Sequence, residues 1–417
     1  MDLARSATYA GFQGLPLKEK WNFVLLLLIG VCMILSCAGY YLLPSSQANN
    51  FPTFLLALSM MFYVALDTER LKFFDHSGLI KVLMLLLFYM ATTGFWFYEG
   101  HLLQVLKLYA DAFLVLLFIF SLIILLRKLE NFLYLLVATI VLAAFSSALE
   151  WLYLTMASDG IVRAEGRLQY AALAAISWGF TVILAIWLTA VSDRPIVKIF
   201  WAIAGVSLAL VALYQEIIYV QIALSIATAI AGYFYLKASW SQKKPKVFVI
   251  GCVAAFFAIS LFLSASLNEI QNDRPVIWNQ SVQHLFDVPG KPLFGFGLMG
   301  DTTMSLPCEV HFAGEVCHFS HPHSLFVSTL VYGGIIGLFL LFTLLIWTTN
   351  ILVSEMHQRQ AQLALFILGY AIPLLLFDGD RLIDKIDIIW LLLWFPIGIA
   401  LSIKPQTHGR DATLNPQ

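Results

Sequence analysis

The sequence predicts an all-α polytopic membrane protein with about twelve transmembrane helices and one large loop outside the membrane that carries short helices. Composition is the first reason: 60% of the 417 residues are hydrophobic and only 12% charged, with a mean hydropathy of +0.85, whereas soluble domains carry about 25% charged residues. Apolar runs of roughly 20 residues are the second, each long enough to cross a hydrocarbon core about 30 Å thick. The third is that only one long polar stretch, 267–323, interrupts them. Residues 1–417 therefore form one membrane domain, with 267–323 as an external cap.

Spans are predicted at 23–43, 51–67, 79–98, 103–126, 132–155, 170–192, 197–214, 216–237, 246–266, 324–350, 361–377 and 386–403. The first lies behind a polar stretch and lacks a small-residue cleavage site, so it reads as an anchor and not as a removable leader. With the spans alternating in direction, 17 of the 24 Lys and Arg residues fall on the side of the N-terminus, six on the other side and Lys107 inside a span. That asymmetry predicts both termini in the cytoplasm and the long loop facing outward. The net charge of −1 selects no partner; membrane lipids are expected around the chain, and nucleic acid is not.

Within the loop, Asn272-Asp273 precede Arg274-Pro275, and proline is tolerated in the first turn of a helix. An amphipathic helix is predicted over 274–286, with Trp278, Val282 and Leu285 toward the membrane surface. Pro289-Gly290 and Gly295-Phe296-Gly297 each predict a turn. The stretch Gly295-Phe296-Gly297-Leu298-Met299-Gly300 spells G-x-G-x-x-G, but it follows no strand and opens no βαβ unit, so the dinucleotide reading fails. A turn that lets backbone approach the membrane or a ligand fits better.

Cys32, Cys37 and Cys252 lie in apolar spans as small buried hydrophobes. Cys308 and Cys317 lie in the outward loop with eight residues between them, where an oxidising compartment favours a disulfide. His311, His318, His321 and His323 stand near these cysteines, but the spacing matches no closed zinc site, so no metal is expected.

Arg274 opens its helix, where the macrodipole disfavours a cation by about 0.3–1 kcal/mol. It is either a solvated rim arginine or a clamp on an anionic group, working with the free N–H groups of the helix. Arg163 and Arg167, four apart in another outward loop, are either interface anchors or partners on one anion. Lys291 is a further cation of the cap. His321-Pro322-His323 lies at the membrane boundary, where a neutral imidazole suits a general base and an interfacial polar role is the bland alternative. Lys107 and Asp111, four apart inside a span, read as structural glue or a relay. The segment Asp378-Gly379-Asp380-Arg381 and onward to Lys385 is a charge-dense turn, expected to be mostly solvated, although its position opposite the loop would also suit an acceptor site.

From His323 the chain reads His-Ser, nine residues, Gly334, two residues, Gly337. This resembles the H-[NSQ]-x9-G-x-x-G signature of the O-antigen ligase and polymerase-like membrane glycosyltransferases. Arg274-Pro-Val-Ile-Trp278 is similar to that family's R-x3-L element, with Trp where Leu is usual, and Pro292–Gly297 is similar to the segment between the two. The resemblance covers roughly 200–340. It implies a GT-C-like fold and a metal- and cofactor-independent transfer of a glycan from undecaprenyl diphosphate to a hydroxyl of lipid A–core, on the periplasmic face of a bacterial inner membrane. His323 would be the general base, Arg274 a diphosphate-binding residue, and His321, Ser324, Gly334 and Gly337 supporting residues. The family often carries a second arginine near the outward end of the span at 210. This chain has Ala212-Leu213-Tyr214-Gln215-Glu216 there, which leaves Arg163, Arg167 or Lys291 to substitute.

An O-antigen polymerase is the nearest alternative, although polymerases tend to show two sizeable periplasmic loops. A protein O-oligosaccharyltransferase usually carries a larger C-terminal periplasmic part. A lipid-linked sugar transporter or flippase belongs to a different class and predicts charges at the bilayer midplane, whereas here they gather at one face, with Lys107 and Asp111 the main exception.

Overall fold

The computed structural model describes residues 16–43, 46–66, 77–97, 102–157, 168, 171–215, 217–238, 274–299, 304–307, 316–319, 321–383 and 387–404. The helices in order are α1 Leu17–Leu42, α2 Ser46–Ala65, α3 Ser77–Thr92, α4 Leu102–Lys128, α5 Phe132–Ala157, α6 Ala171–Val191, α7 Pro195–Tyr214, α8 Ile218–Ala238, α9 Arg274–Asp287, α10 Lys291–Phe294, α11 Leu325–Ser354, α12 Arg359–Phe377 and α13 Phe395–Ser402. A 3-10 turn, Thr93–Phe97, extends α3, and a widened π turn, Trp390–Trp394, leads into α13. Among the described residues nine helices are long and apolar enough to cross a membrane. This is the architecture of a polytopic membrane protein.

The expectation of twelve spans is met only in part. The predicted spans 216–237 and 386–403 correspond to apolar helices shorter than the others, Ile218–Tyr233 and Trp390–Ser402. The span at 246–266 lies outside the described residues. The cap also holds more than short helices: β1 Met304–Pro307 and β2 Val316–Phe319 pair antiparallel. In that register Leu306 faces Cys317 and Ser305 faces His318. Cys308 lies outside the described residues, so the expected disulfide does too.

The bundle is stitched by side chains that satisfy backbone groups at membrane depth, where no water competes. In the α1–α2 pair, Asn49 Nδ2 donates to Ser36 O at 3.1 Å and Thr53 Oγ1 to Ser36 Oγ at 3.1 Å. Tyr41 and Tyr370 donate to the carbonyls of Ser177 and Ile176 in the middle helix α6, at 3.0 and 2.8 Å. At the end of the bundle away from the cap, Arg127 caps α13 by donating to Ser402 O and Leu401 O, each at 3.1 Å. Trp187 Nε1 donates to Arg359 O at 2.9 Å at that same end.

The feature that organises the cap end is a break in α11. Gly334 sits at φ 64°, ψ −169°, so α11 is two helical pieces meeting at that residue. A break inside a membrane strands the last carbonyls of the first piece. Here they are taken up: Val331 O accepts from Phe296 N at 2.8 Å, Tyr332 O from Gly297 N at 2.9 Å, and Gly333 O from the Tyr89 hydroxyl at 2.7 Å. The segment 295–298 thus runs along the break as a short non-helical plug, and Leu298 N bonds Thr93 Oγ1 at 3.2 Å to anchor it to α3. That backbone approach is what the glycine-rich stretch provides. A Cβ on Gly295 would meet the Tyr332 carbonyl, and one on Gly334 the Leu293 carbonyl.

The plug also corrects the placement of α9. Its buried face is Ile277, Ser281 and Leu285, spaced one turn apart, and Leu285 packs with Phe296 and Val331. The amphipathic helix therefore docks on α11 and on the plug, where the sequence predicts a helix lying on the membrane surface. Trp278 is half-buried and turned to a different partner, described below.

Alanine at 334 must adopt a backbone conformation that is essentially glycine-only, costing about 1–3 kcal/mol before any clash. Gly334→Ala is expected to lower the thermal unfolding temperature in detergent clearly. Gly337→Ala, whose Cβ would meet the yielding Met90 Sδ at 3.1 Å, should change it little. Equal melting of Gly334→Ala and the parent protein would show that the break is not required.

Candidate functional site at the cap end of the bundle

Four elements converge on one point: the starts of α8, α9 and α11 and the turn after α12. Each is held there by local rules. Ser324 is the N-cap of α11, with extended backbone and its Oγ accepting from Val327 N at 3.4 Å, the usual service of a serine at that position. Leu325 N is met by Asp378 O at 3.2 Å, so the turn after α12 covers a donor the helix cannot satisfy itself. Trp278 Nε1 donates to Pro322 O at 2.9 Å, which ties α9 to the His321-Pro322-His323 segment. Trp278 and Tyr219 both pack against Phe377, with ring centroids 5.8 and 6.4 Å away.

His323 is the one non-glycine residue with positive φ, 52°, among the described residues. Its ring lies 4.0 Å from that of His321, centroid to centroid, at an interplanar angle of 49°. Both histidines are half-buried. Burial, followed by the neighbouring His321 and Arg274, pushes the His323 imidazole below its ordinary value of 6.5; Asp378 and Asp380 oppose the shift. The ring is therefore neutral at pH 7 and able to accept a proton.

Arg274 opens α9 as expected, and its Cζ stands 4.4 Å over the ring of Tyr219, a cation–π contact that holds the guanidinium at the site. The Tyr219 hydroxyl donates to Asp378 Oδ2 at 3.2 Å, and Asp378 Oδ1 accepts from Gly379 N at 2.7 Å. Tyr332, from the first piece of α11, donates to Asp380 Oδ1 at 3.0 Å. Arg381 stands 5.8 Å from the Tyr332 ring centroid and 3.6 Å, Nε to Oδ2, from Asp380. No protein-family model and no curated protein matches the chain.

Of the residues singled out in the sequence, Arg274, His321, His323 and Ser324 come together here. Gly334 and Gly337 act farther along α11, at the break and against Met90. Lys291 is placed by Phe296, its Nζ 5.4 Å from that ring centroid, and burial pulls its ammonium below the ordinary lysine value. His284 stacks on the same Phe296 at 4.8 Å. Arg163, Arg167 and His311 lie outside the described residues, as do Asp384 and Lys385. In α4, Lys107 is exposed and Asp111 buried.

The turn at 378–381 departs from expectation. Asp378 and Asp380 are not simply solvated: each accepts a hydrogen bond from a tyrosine of another helix. Tyr219 and Tyr332 were not singled out at all. The available signal was a tyrosine near the end of a span and a turn with two aspartates, and it is weak without knowing which helices are neighbours.

The pH dependence of His323 is directly measurable. Diethyl pyrocarbonate modifies neutral imidazole, so His323 labelling followed by mass spectrometry should persist below pH 6.5 and fade with a midpoint under that value. His321→Asn removes one of the neighbours that disfavour the charged ring and should move the midpoint upward. A midpoint at or above 6.5 that ignores His321→Asn would refute this electrostatic picture.

Proposed function

We propose that the chain is a membrane glycosyltransferase of the O-antigen ligase type. Its donor is a glycan on undecaprenyl diphosphate, and its acceptor is a hydroxyl of lipid A–core. The observation that supports this reading most is the convergence of the motif histidine with Arg274, brought from two distant parts of the chain. An acceptor hydroxyl attacking the anomeric carbon must lose a proton, and neutral His323 takes it. The bond from that carbon to the diphosphate oxygen breaks with its electrons, leaving undecaprenyl diphosphate. This leaving group needs cations and no protonation, so fixed positive charge such as Arg274 serves it. In this mechanism neither metal nor cofactor is required.

The same reading sets the protein in a bacterial inner membrane with the site periplasmic and both termini cytoplasmic. Supporting it, Arg127, Lys128, Arg194, Lys198, Arg359 and Lys404 lie at helix ends opposite the site, as a cytoplasmic face demands.

A purified transfer assay with EDTA tests the proposal, using lipid-linked O-antigen as donor and rough lipopolysaccharide as acceptor. A ladder on the acceptor is expected. His323→Ala should lower transfer at least about 100-fold, the span of a general base, while the protein still inserts. Arg274→Ala should impair donor use more than Arg274→Lys, because the bidentate fork is lost. Undiminished transfer by His323→Ala would remove the base assignment. If only the lipid-linked glycan lengthens, the enzyme is a polymerase; no product of either kind points to transport.

A further inference from the structure

Two arginine–tyrosine–aspartate units meet at the turn after α12. In the first, Arg274 lies over Tyr219, which donates to Asp378. In the second, Arg381 lies beside Tyr332, which donates to Asp380. The tyrosines come from α8 and α11, so the units tie different helices to one turn. His323 feels both, since Asp378, Arg274 and Asp380 all act on its imidazole.

The second unit is incompletely made. Arg381 Nε is 3.6 Å from Asp380 Oδ2, beyond a hydrogen bond. That nitrogen is enclosed and has no hydrogen-bond partner among the described residues. The side chains themselves remain open, Arg381 at 41% and Asp380 at 35% exposure. An enclosed donor left unmade is destabilising, and an ion pair this exposed contributes little to stability. Structural glue is a poor account of such a pair. A cation held near its place by an internal carboxylate, with a side chain still 41% exposed, is a better one.

We propose that Arg381 is the second anion-binding residue of this site and that Asp380 is its internal counter-ion, displaced when the ligand's anionic group arrives. This rests on the donor reading above, in which that group is the diphosphate. Two arginines stand against two aspartates here, so an entering diphosphate competes with the carboxylates for the guanidinium groups. Arg381 then fills the role for which Arg163, Arg167 and Lys291 are the sequence candidates.

The decisive property is the sign of the Asp380 effect. Asparagine keeps an oxygen to accept from Tyr332 but gives up the charge that competes with the ligand. Binding of undecaprenyl diphosphate, with undecaprenyl phosphate as comparison, would be measured on the purified full chain in detergent by thermophoresis, alongside thermal unfolding. Arg381→Ala is expected to weaken diphosphate binding at least tenfold, Arg381→Lys to restore part of it, and Asp380→Asn to tighten it severalfold. The monophosphate should discriminate less among these variants. If Arg381→Ala binds like the parent while Arg274→Ala does not, the Arg381 assignment fails and the donor reading survives. If Asp380→Asn weakens binding as much as Arg381→Ala, the pair is structural and the proposal is overturned. Should Arg381→Ala not fold, Arg381→Lys and Asp380→Asn decide by the same signs. No diphosphate binding by the parent protein would sink the donor reading and this inference together.

Discussion

The cap end of the bundle depends on the break in α11. Opening a helix inside a membrane leaves carbonyls that lipid cannot satisfy, and the three at Val331, Tyr332 and Gly333 are met by Phe296 N, Gly297 N and the Tyr89 hydroxyl. This requirement fixes the segment 295–298 on α11. Phe296 then packs with Leu285 of α9, so the plug sets where α9 lies. Because α9 carries both Trp278 and Arg274, its docking delivers one side chain to Pro322 and the other to Tyr219. A backbone need at the middle of one helix thereby locates a guanidinium and an imidazole at its end.

Charge distribution then separates what the site can do from what the bundle can do. Arg274, Arg381, Asp378, Asp380 and the two histidines gather at one end, where Trp278 and Tyr219 pack on Phe377, Arg274 lies over Tyr219 and Arg381 stands beside Tyr332. An aromatic wall lowers the local dielectric and strengthens each remaining electrostatic interaction. A transporter would be expected to place its ionisable groups near mid-depth on discontinuous helices. α11 is discontinuous, but its freed carbonyls accept hydrogen bonds from protein donors.

Much of the scaffold was legible because hydropathy integrates over about 20 residues and needs no knowledge of neighbours. The start of α9 at Arg274 was legible from equally local signals, the proline that follows it among them. The break was not. It lies inside an unbroken apolar run, and Gly333-Gly334 alone does not reveal which segment will fill the gap. The buried face of α9 was misassigned because Trp278 and Val282 fit a membrane-facing pattern as well as Ile277 and Ser281 fit a protein-facing one. The roles of Asp378 and Asp380 were hidden because their partners, Tyr219 and Tyr332, are 159 and 48 residues away in the chain.

His323 carries the last constraint. A non-glycine residue at φ 52° is uncommon, although histidine tolerates the region better than most. Its surroundings over-determine it: Pro322 is pinned through its carbonyl by Trp278, Ser324 must be extended to cap α11, and Leu325 N is held by Asp378 O. With both flanks fixed, the single residue between them absorbs the change of direction. The result is that the imidazole stands beside His321, within the field of Arg274 and Asp378. Backbone strain of this kind persists only where the neighbours impose it and is common at functional sites. Here those neighbours are the cap of α11, the turn after α12 and the helix that brings Arg274, so the contacts that assemble the site are the ones that impose the conformation of His323.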